Sequence, residues 1–282
     1  MSEREWKQRF TQDAGRRRSE LCKAQDVHAD WYLRWCGELR EAPRFHRKQW
    51  EFVYNMQALW ERGCIAPGKK GLVFAVGTEP APSLFAAYGC EILATDLFPE
   101  RGIEAGWTQA DQLCFGLESL NTRGLVPDAI LQERVRYRAV DMTAIPDDLR
   151  DFDFNWSSCA LEHLGTLEKG LQFLKDQLRT LKPGGWAVHT TEFNLSSNNL
   201  TQNDNPTVLF RHRDIDRLVA ELRADGHFVE ELDFSIGGWP EDFQVDVAPH
   251  RQEVHLKLQV GCFVVTSIGI IIRKGPVLHP GG

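Results

Sequence analysis

The stretch from Leu72 to Leu97 constrains this chain more than any other. A short apolar run, LVFAV (72–76), passes through a Gly- and Pro-containing turn, continues as PSLFAAYG and closes on a second run, EILATDL (91–97). Strand, helix and strand in that order make a βαβ unit, whose crossover is right-handed almost without exception. The same grammar continues downstream. RYRAVDM (136–142) reads as a third strand and FDFNWSSC (152–159) as a fourth. A helix over 167–181, closed by KPGG (182–185), leads into GWAVHTTEF (185–193) as a fifth. Residues 214–224 form a helix stopped by Asp225-Gly226, and HFVEELDF and the run ending at Ile272 supply the last two strands. Alternating β and α with apolar strands predicts an α/β fold: a doubly wound, mainly parallel, seven-stranded sheet of Rossmann-like type.

Upstream the pattern is helical. Trp31, Leu33, Trp35 and Leu39, then Trp50, Phe52, Val53, Met56, Leu59 and Trp60, recur at helical spacing, with Ala42-Pro43 between them. The expected organisation is an N-terminal helical extension over 1–65 and one α/β domain over 66–282. Two insertions, near 98–135 and 235–255, are longer than such a core needs, and long loops of this kind often cover a ligand crevice.

Composition narrows the function classes. A net charge of -7 argues against nucleic acid as the main partner, since phosphate binding leans on Lys and Arg. Seven cysteines, an odd number without a CxxC pair, fit neither a disulfide framework nor a zinc ribbon. The polar start MSEREWKQRF is no signal peptide, and the apolar run from Val260 to Ile272 is too short to span a bilayer. The expected location is the cytoplasm.

In an open α/β sheet, ligands sit outside the carboxyl ends of the strands. The first strand ends in VGTEPAP, where Gly77 permits a tight turn. The second ends at Asp96, a carboxylate able to accept two hydrogen bonds from a ribose diol. The third ends at Asp141-Met142, an acid and an apolar side chain suited to the amino group and face of an adenine. Turn, diol acceptor and base pocket follow in the order an adenosine ligand needs.

On these pieces together with FDFNWSSCALEHLGTLEKGLQFLKDQLRTLKPGGWAVHTTEFN (152–194), residues 70–273 resemble a class I S-adenosylmethionine-dependent methyltransferase. The resemblance implies S-adenosyl-L-methionine as cofactor. It places Gly77, Thr78 and Glu79 beside the methionine part, Asp96 and Leu97 at the ribose, and Asp141 and Met142 at the adenine. Ser157 or Ser158 would border the methyl group. The first motif departs from the family pattern: Ala75 stands where an acid is usual, and Glu79 and Ala81 replace later glycines. A negative Glu79 suits a cofactor with a cationic amine and sulfonium and opposes a pyrophosphate.

If the acceptor is a hydroxyl, a general base assists, and His163 in LEHLG is the first candidate. Glu162, His189 and Glu192 are the other catalytic candidates, with His212 shortly beyond. Glu162, His163 and one of His189, Glu192 or His212 could also converge on a divalent ion, but no metal ligand is assigned. Trp107 and Trp239, one in each insertion, offer stacking surfaces, and HTTEFNLSSNN adds short polar groups suited to a polyhydroxylated acceptor. The expected function is methyl transfer to a hydroxyl of a sugar, glycan or similar polar molecule. An RNA end or small natural product as acceptor, or a non-catalytic relative, are the alternatives. Oligomeric state stays open.

Overall fold

The computed structural model describes residues 16–97, 116–204, 206–250 and 252–276. Its strands are β1 (Ser19–Glu20), β2 (Lys70–Val73), β3 (Glu91–Asp96), β4 (Val135–Ala139), β5 (Phe152–Ser158), β6 (Leu181–Asn194), β7 (Phe228–Val229), β8 (Leu232–Asp233), β9 (Val245–Asp246), β10 (Lys257–Val260) and β11 (Phe263–Arg273). The α-helices, numbered in chain order, are α1 (Asp30–Glu38), α2 (Arg47–Glu61), α3 (Ala81–Ala87), α4 (Asp128–Arg134), α5 (Leu167–Asp176) and α6 (His212–Ala224).

The main sheet runs β4-β3-β2-β5-β6-β11-β10-β9, and β7 also pairs with β11. From β4 to β6 every neighbour is parallel; β11 enters antiparallel to β6, with Val265 opposite Asn194 and Arg273 opposite Trp186. The order reverses at β2 and β5, the switch point where doubly wound sheets bind ligands. The five parallel strands expected from sequence are present. The count of seven is not: among the described residues the main sheet has nine. The second insertion contributes β9, and the expected strand HFVEELDF divides. Its first half pairs with β11, while Leu232–Asp233 leaves to pair with Ser19–Glu20. KPGG also does more than stop a helix. The helix gives way to a 3-10 turn at Gln177–Thr180, and Leu181 already opens β6. Gly184 at φ +80° lets the strand bulge against Phe152–Phe154.

Strand alternation splits the core between the two sheet faces. Phe154, Trp156 and Val188 join Trp35, Trp50 and Phe85 on the face covered by α1, α2 and α3. Leu72, Phe74 and Ala187 join Phe173, Leu174 and Leu218 on the face covered by α5 and α6. The N-terminal segment is woven into this core. Cys22 N–H donates to Ser267 O at 2.9 Å, and the Ile271 N–H donates to Ser19 Oγ at 3.0 Å. Trp50 is fully buried, stacks on Tyr54 with ring centroids 4.6 Å apart, and donates its indole N–H to Asp26 at 2.8 Å.

Candidate active site

At the ends of β2 and β3 the chain turns through Ala75 and Gly77, both with positive φ (+50° and +52°). The turn is fastened to β3 by one side chain. Asp96 accepts the Gly77 N–H through Oδ2 at 2.9 Å and the Leu97 N–H through Oδ1 at 2.8 Å. Thr78 lies exposed in the same turn, and Gly77 and Leu97 are half-buried. Beyond β4, Asp141 Oδ1 accepts from the Thr143 N–H and hydroxyl at 2.8 and 2.6 Å, closing a tight turn. Met142 is buried in the core beside it.

Glu79 is placed differently from the sequence expectation. Its carboxylate is buried under α2, where Oε1 accepts from Trp156 Nε1 at 2.8 Å and Oε2 from Ser158 Oγ at 3.0 Å. Burial pushes its pKa up to about 7, against the pull of those two donors. Ser158 also receives Asn55 Nδ2 at 3.0 Å. Ser157 points to the opposite face, where its hydroxyl meets His189 Nδ1 at 2.8 Å. His189 is fully buried, edge-on to Phe173, and burial alone drives its pKa down to about 3. The structure therefore does not bring Ser157 and His189 to the other candidates. A neutral imidazole at that depth serves as packing and hydrogen-bonding partner.

Glu162 and Glu192 do converge, at the ends of β5 and β6 and beneath the first turn of α2. Cys159 sits between them with φ +52°, a conformation costly for any residue with a Cβ. One ligand atom from each of Cys159, Glu162 and Glu192 lies within 4.8 Å of the others, and all three residues are buried. Arg47 from α2 pairs with Glu192 Oε1 and approaches Cys159 Sγ at 3.6 Å. Glu51 is fully buried. It receives the Cys159 thiol at 3.0 Å and the Ser267 hydroxyl, and pairs with Lys48 at 3.1 Å and Arg47 at 3.7 Å. Burial opposes the charge on Glu51, but Lys48 and Arg47 outweigh it and hold its carboxyl below the usual range. Glu192 goes the other way: burial pushes it up to about 7, with Glu162 and Glu51 adding to the rise against Arg47. Its Oε2 is buried with no hydrogen-bond partner among the described residues.

His163 lies at the rim. Its Nδ1 meets the Pro206 carbonyl at 2.9 Å, and Nε2 faces Glu162 Oε1 at 4.0 Å. A carbonyl only accepts, so Nδ1 carries the hydrogen of that contact. Thr191 holds the other Glu162 oxygen at 2.9 Å. His212 is outside the cluster, paired with Asp216 at 2.9 Å. Trp239 stacks on His28 with centroids 4.9 Å apart, so one ring face is already occupied, while Trp107 lies outside the described residues.

Sequence reading missed Arg47, Lys48, Glu51, Asn55 and Ser267. One signal was available: Arg47, Glu51 and Asn55 form an i, i+4, i+8 polar stripe on a helix whose residues Gln49 to Leu59 are nearly all buried.

Residues 72–189 match the family model described as a methyltransferase domain. No curated protein matches the chain in sequence. Among solved structures, the chain is similar to the 4+2 cyclase SpnF at 20% identity and TM-score 0.41, covering 62% of this chain and 60% of that one. It is similar to an S-adenosylmethionine-dependent methyltransferase from Mesorhizobium loti at 14% identity and TM-score 0.46, covering 77% and 96%. DhpI in complex with SAH is similar at 15% identity and TM-score 0.45, covering 90% and 92%. Likenesses this distant carry nothing about substrate or reaction.

Proposed function

We propose that this chain, whose residues 72–189 match a methyltransferase domain, is a class I, S-adenosylmethionine-dependent enzyme that transfers the cofactor's methyl group to a hydroxyl of a sugar, glycan or similar polar acceptor. The observation that carries this reading is the strand-end arrangement. Asp96 ties the β2 turn to β3 on one side of the switch point, while Glu162, His163 and Glu192 stand on the other, at the ends of β5 and β6. The first set suits the ribose of the cofactor, with Gly77, Thr78 and Leu97 lining the turn and Asp141 and Met142 toward the adenine. Ser158 and Glu79, buried under α2, shape the floor between the two sets.

Methyl transfer to a hydroxyl is an in-line displacement. The cofactor, when bound, would supply an electrophilic methyl whose bonding pair to sulfur stays on the sulfur, and the protein's part would be to hold the acceptor hydroxyl in line with it and to take the hydroxyl proton. We assign His163 the role of taking it, a reading supported by its position beside Glu162 at the end of β5 and by the Pro206 carbonyl that orients its ring through Nδ1. The rest of the work is positioning and exclusion of water. The net charge of -7 supports an uncharged or cationic acceptor over RNA. Six free thiols among the described residues fit a reducing, cytoplasmic setting. No described helix is long and apolar enough to cross a membrane.

The test is a methyl-transfer assay with methyl-labelled cofactor against a panel of sugars and glycans, alkylamines and short RNAs. Label in an alkali-stable ether on a carbohydrate is the expected outcome, and label only on nitrogen or RNA would replace the reading. His163→Ala should lower turnover about a hundredfold or more while leaving cofactor affinity within about twofold, in the range typical of a lost general base.

A further inference from the structure

We propose that Cys159, Glu162 and Glu192 form a binding site for one zinc-class divalent cation. Four independent features of the cluster point to it, and none depends on the identity of the methyl acceptor.

The donor set is the first. One thiol sulfur and two carboxylate oxygens lie within 4.8 Å of one another in a buried position. Tetrahedral zinc with bonds of about 2.0–2.3 Å separates its ligand atoms by about 3.5 Å, so side-chain motion of roughly an ångström closes the set. Sulfur with oxygen favours borderline metals such as Zn²⁺ and Co²⁺ over Mg²⁺, which keeps all-oxygen surroundings. Three protein ligands leave a fourth position open.

The second feature is an unused ligand atom. Glu192 is 4% exposed, Arg47 occupies only its Oε1, and Oε2 is buried with no hydrogen-bond partner among the described residues. A buried carboxylate oxygen left without a donor is costly. A cation bound through this oxygen would satisfy it while Arg47 keeps Oε1, and at Cys159 it would replace the contacts to Arg47 and Glu51.

Charge is the third. Glu51, Glu162 and Glu192 face two cations, Arg47 and Lys48, within the same packed group. With Cys159 bound as thiolate and Glu192 ionised on a metal, the group would hold four negative charges against two positive ones, a difference that one dication would balance. The thiol proton passes to bulk water as the sulfur–metal bond forms. Glu79 stays outside this balance, turned toward Trp156 and Ser158.

The fourth feature is strain. Cys159 holds φ +52° directly after β5. Glycine or asparagine is the cheaper choice in that conformation. Backbone strain of this kind persists where a side chain must be aimed, and here it aims Sγ into the acidic group. The ligands differ from the sequence expectation, since neither His189 nor His212 reaches the cluster and Cys159 does.

The experiment titrates chelator-treated, full-length protein with Co²⁺ by absorption and with Zn²⁺ by calorimetry, with Mg²⁺ as competitor. One ion per chain is expected, with a sulfur-to-cobalt charge-transfer band and no displacement by millimolar Mg²⁺. Cys159→Ser should abolish that band, and Glu192→Gln should weaken Zn²⁺ binding at least tenfold. Cys262→Ser, at an exposed thiol, should change neither. Absence of stoichiometric binding, or a charge-transfer band that survives Cys159→Ser, overturns the proposal. If the variants do not fold, X-ray absorption of the zinc-loaded wild type decides: one sulfur with oxygen neighbours supports the site, and a sulfur-free shell overturns it.

Discussion

Asp96 joins local structure to binding through two short bonds. Its carboxylate accepts the Gly77 and Leu97 N–H groups, so the residue expected to hold the ribose also holds the turn that shapes the cofactor crevice. Removing it deletes charged hydrogen bonds and frees a strained turn together. Asp96→Ala should weaken S-adenosylmethionine binding by about 1.5–3 kcal/mol, roughly ten- to hundredfold, in a calorimetric titration; unchanged affinity in a folded variant would remove Asp96 from the ribose site. Glu79 makes a different kind of prediction. Burial raises its pKa from 4.5 to about 7, so between those values the folded protein binds a proton that the unfolded chain has released. Stability contributed by this proton is full below pH 4.5 and is lost as pH rises through 7. Glu79→Gln should therefore flatten the fall of Tm between pH 5 and 7 and stabilise the protein at pH 8. The gain follows from proton affinity, each tenfold change in which is worth about 1.4 kcal/mol. A variant whose Tm profile keeps the wild-type slope would mean that Glu79 does not titrate in this range.

At the scale of elements, α2 lies across the sheet through a glycine. A Cβ on Gly269 of β11 would stand 2.0 Å from the Tyr54 ring, whose hydroxyl donates to Arg18 O at 2.5 Å. Gly269→Ala must push a fully buried aromatic out of its stack on Trp50, and should cost about 1–3 kcal/mol in chemical denaturation. Gly238→Ala, where nothing lies within 4 Å, is the matched control and should sit near zero. The contrast between these glycines also marks what sequence could convey. The parallel strands were legible because apolar runs ending in TDL or VDM have a local signature, and KPGG, the first residues of β6 after Leu181, marks where the preceding helical stretch gives way to strand. Asp96, Glu162, His163 and Glu192 stand out in the sequence because each falls at or just beyond a strand end. Arg47, Lys48 and Glu51 do not, since only the packing of α2 over β5, β6 and β11 brings them to those ends. His189 failed for the complementary reason. Strand alternation turns it to the opposite face from Glu192, three residues on, and the sequence alone did not say which face carries the site.

For the molecule as a whole, the question is whether residues 1–65 are an addition to a self-sufficient α/β domain or part of its core. Ser19–Glu20 pair with Leu232–Asp233, Cys22 bonds to β11, and Ala24 N–H donates to Asp242 at 2.8 Å. Trp35, Trp50, Val53, Tyr54 and Met56 are fully buried in the cluster that also contains Trp156, Val188 and Ile271 of the sheet. Each such side chain contributes about 1.5–3 kcal/mol through burial, so losing five of them exceeds most of the roughly 5–15 kcal/mol by which a domain is stable. A 66–282 fragment also strips the cover from the ends of β5 and β6 and deletes Arg47, Lys48 and Glu51. The fragment should show no cooperative thermal transition by near-ultraviolet circular dichroism, expose apolar surface to a hydrophobic dye, and fail to bind S-adenosylmethionine. The intact chain should melt with near- and far-ultraviolet signals coincident, as a single unit does. A fragment that melts cooperatively and binds the cofactor with wild-type affinity would instead make the N-terminal helices a removable cover, and would assign α2 to the acceptor side of the site alone.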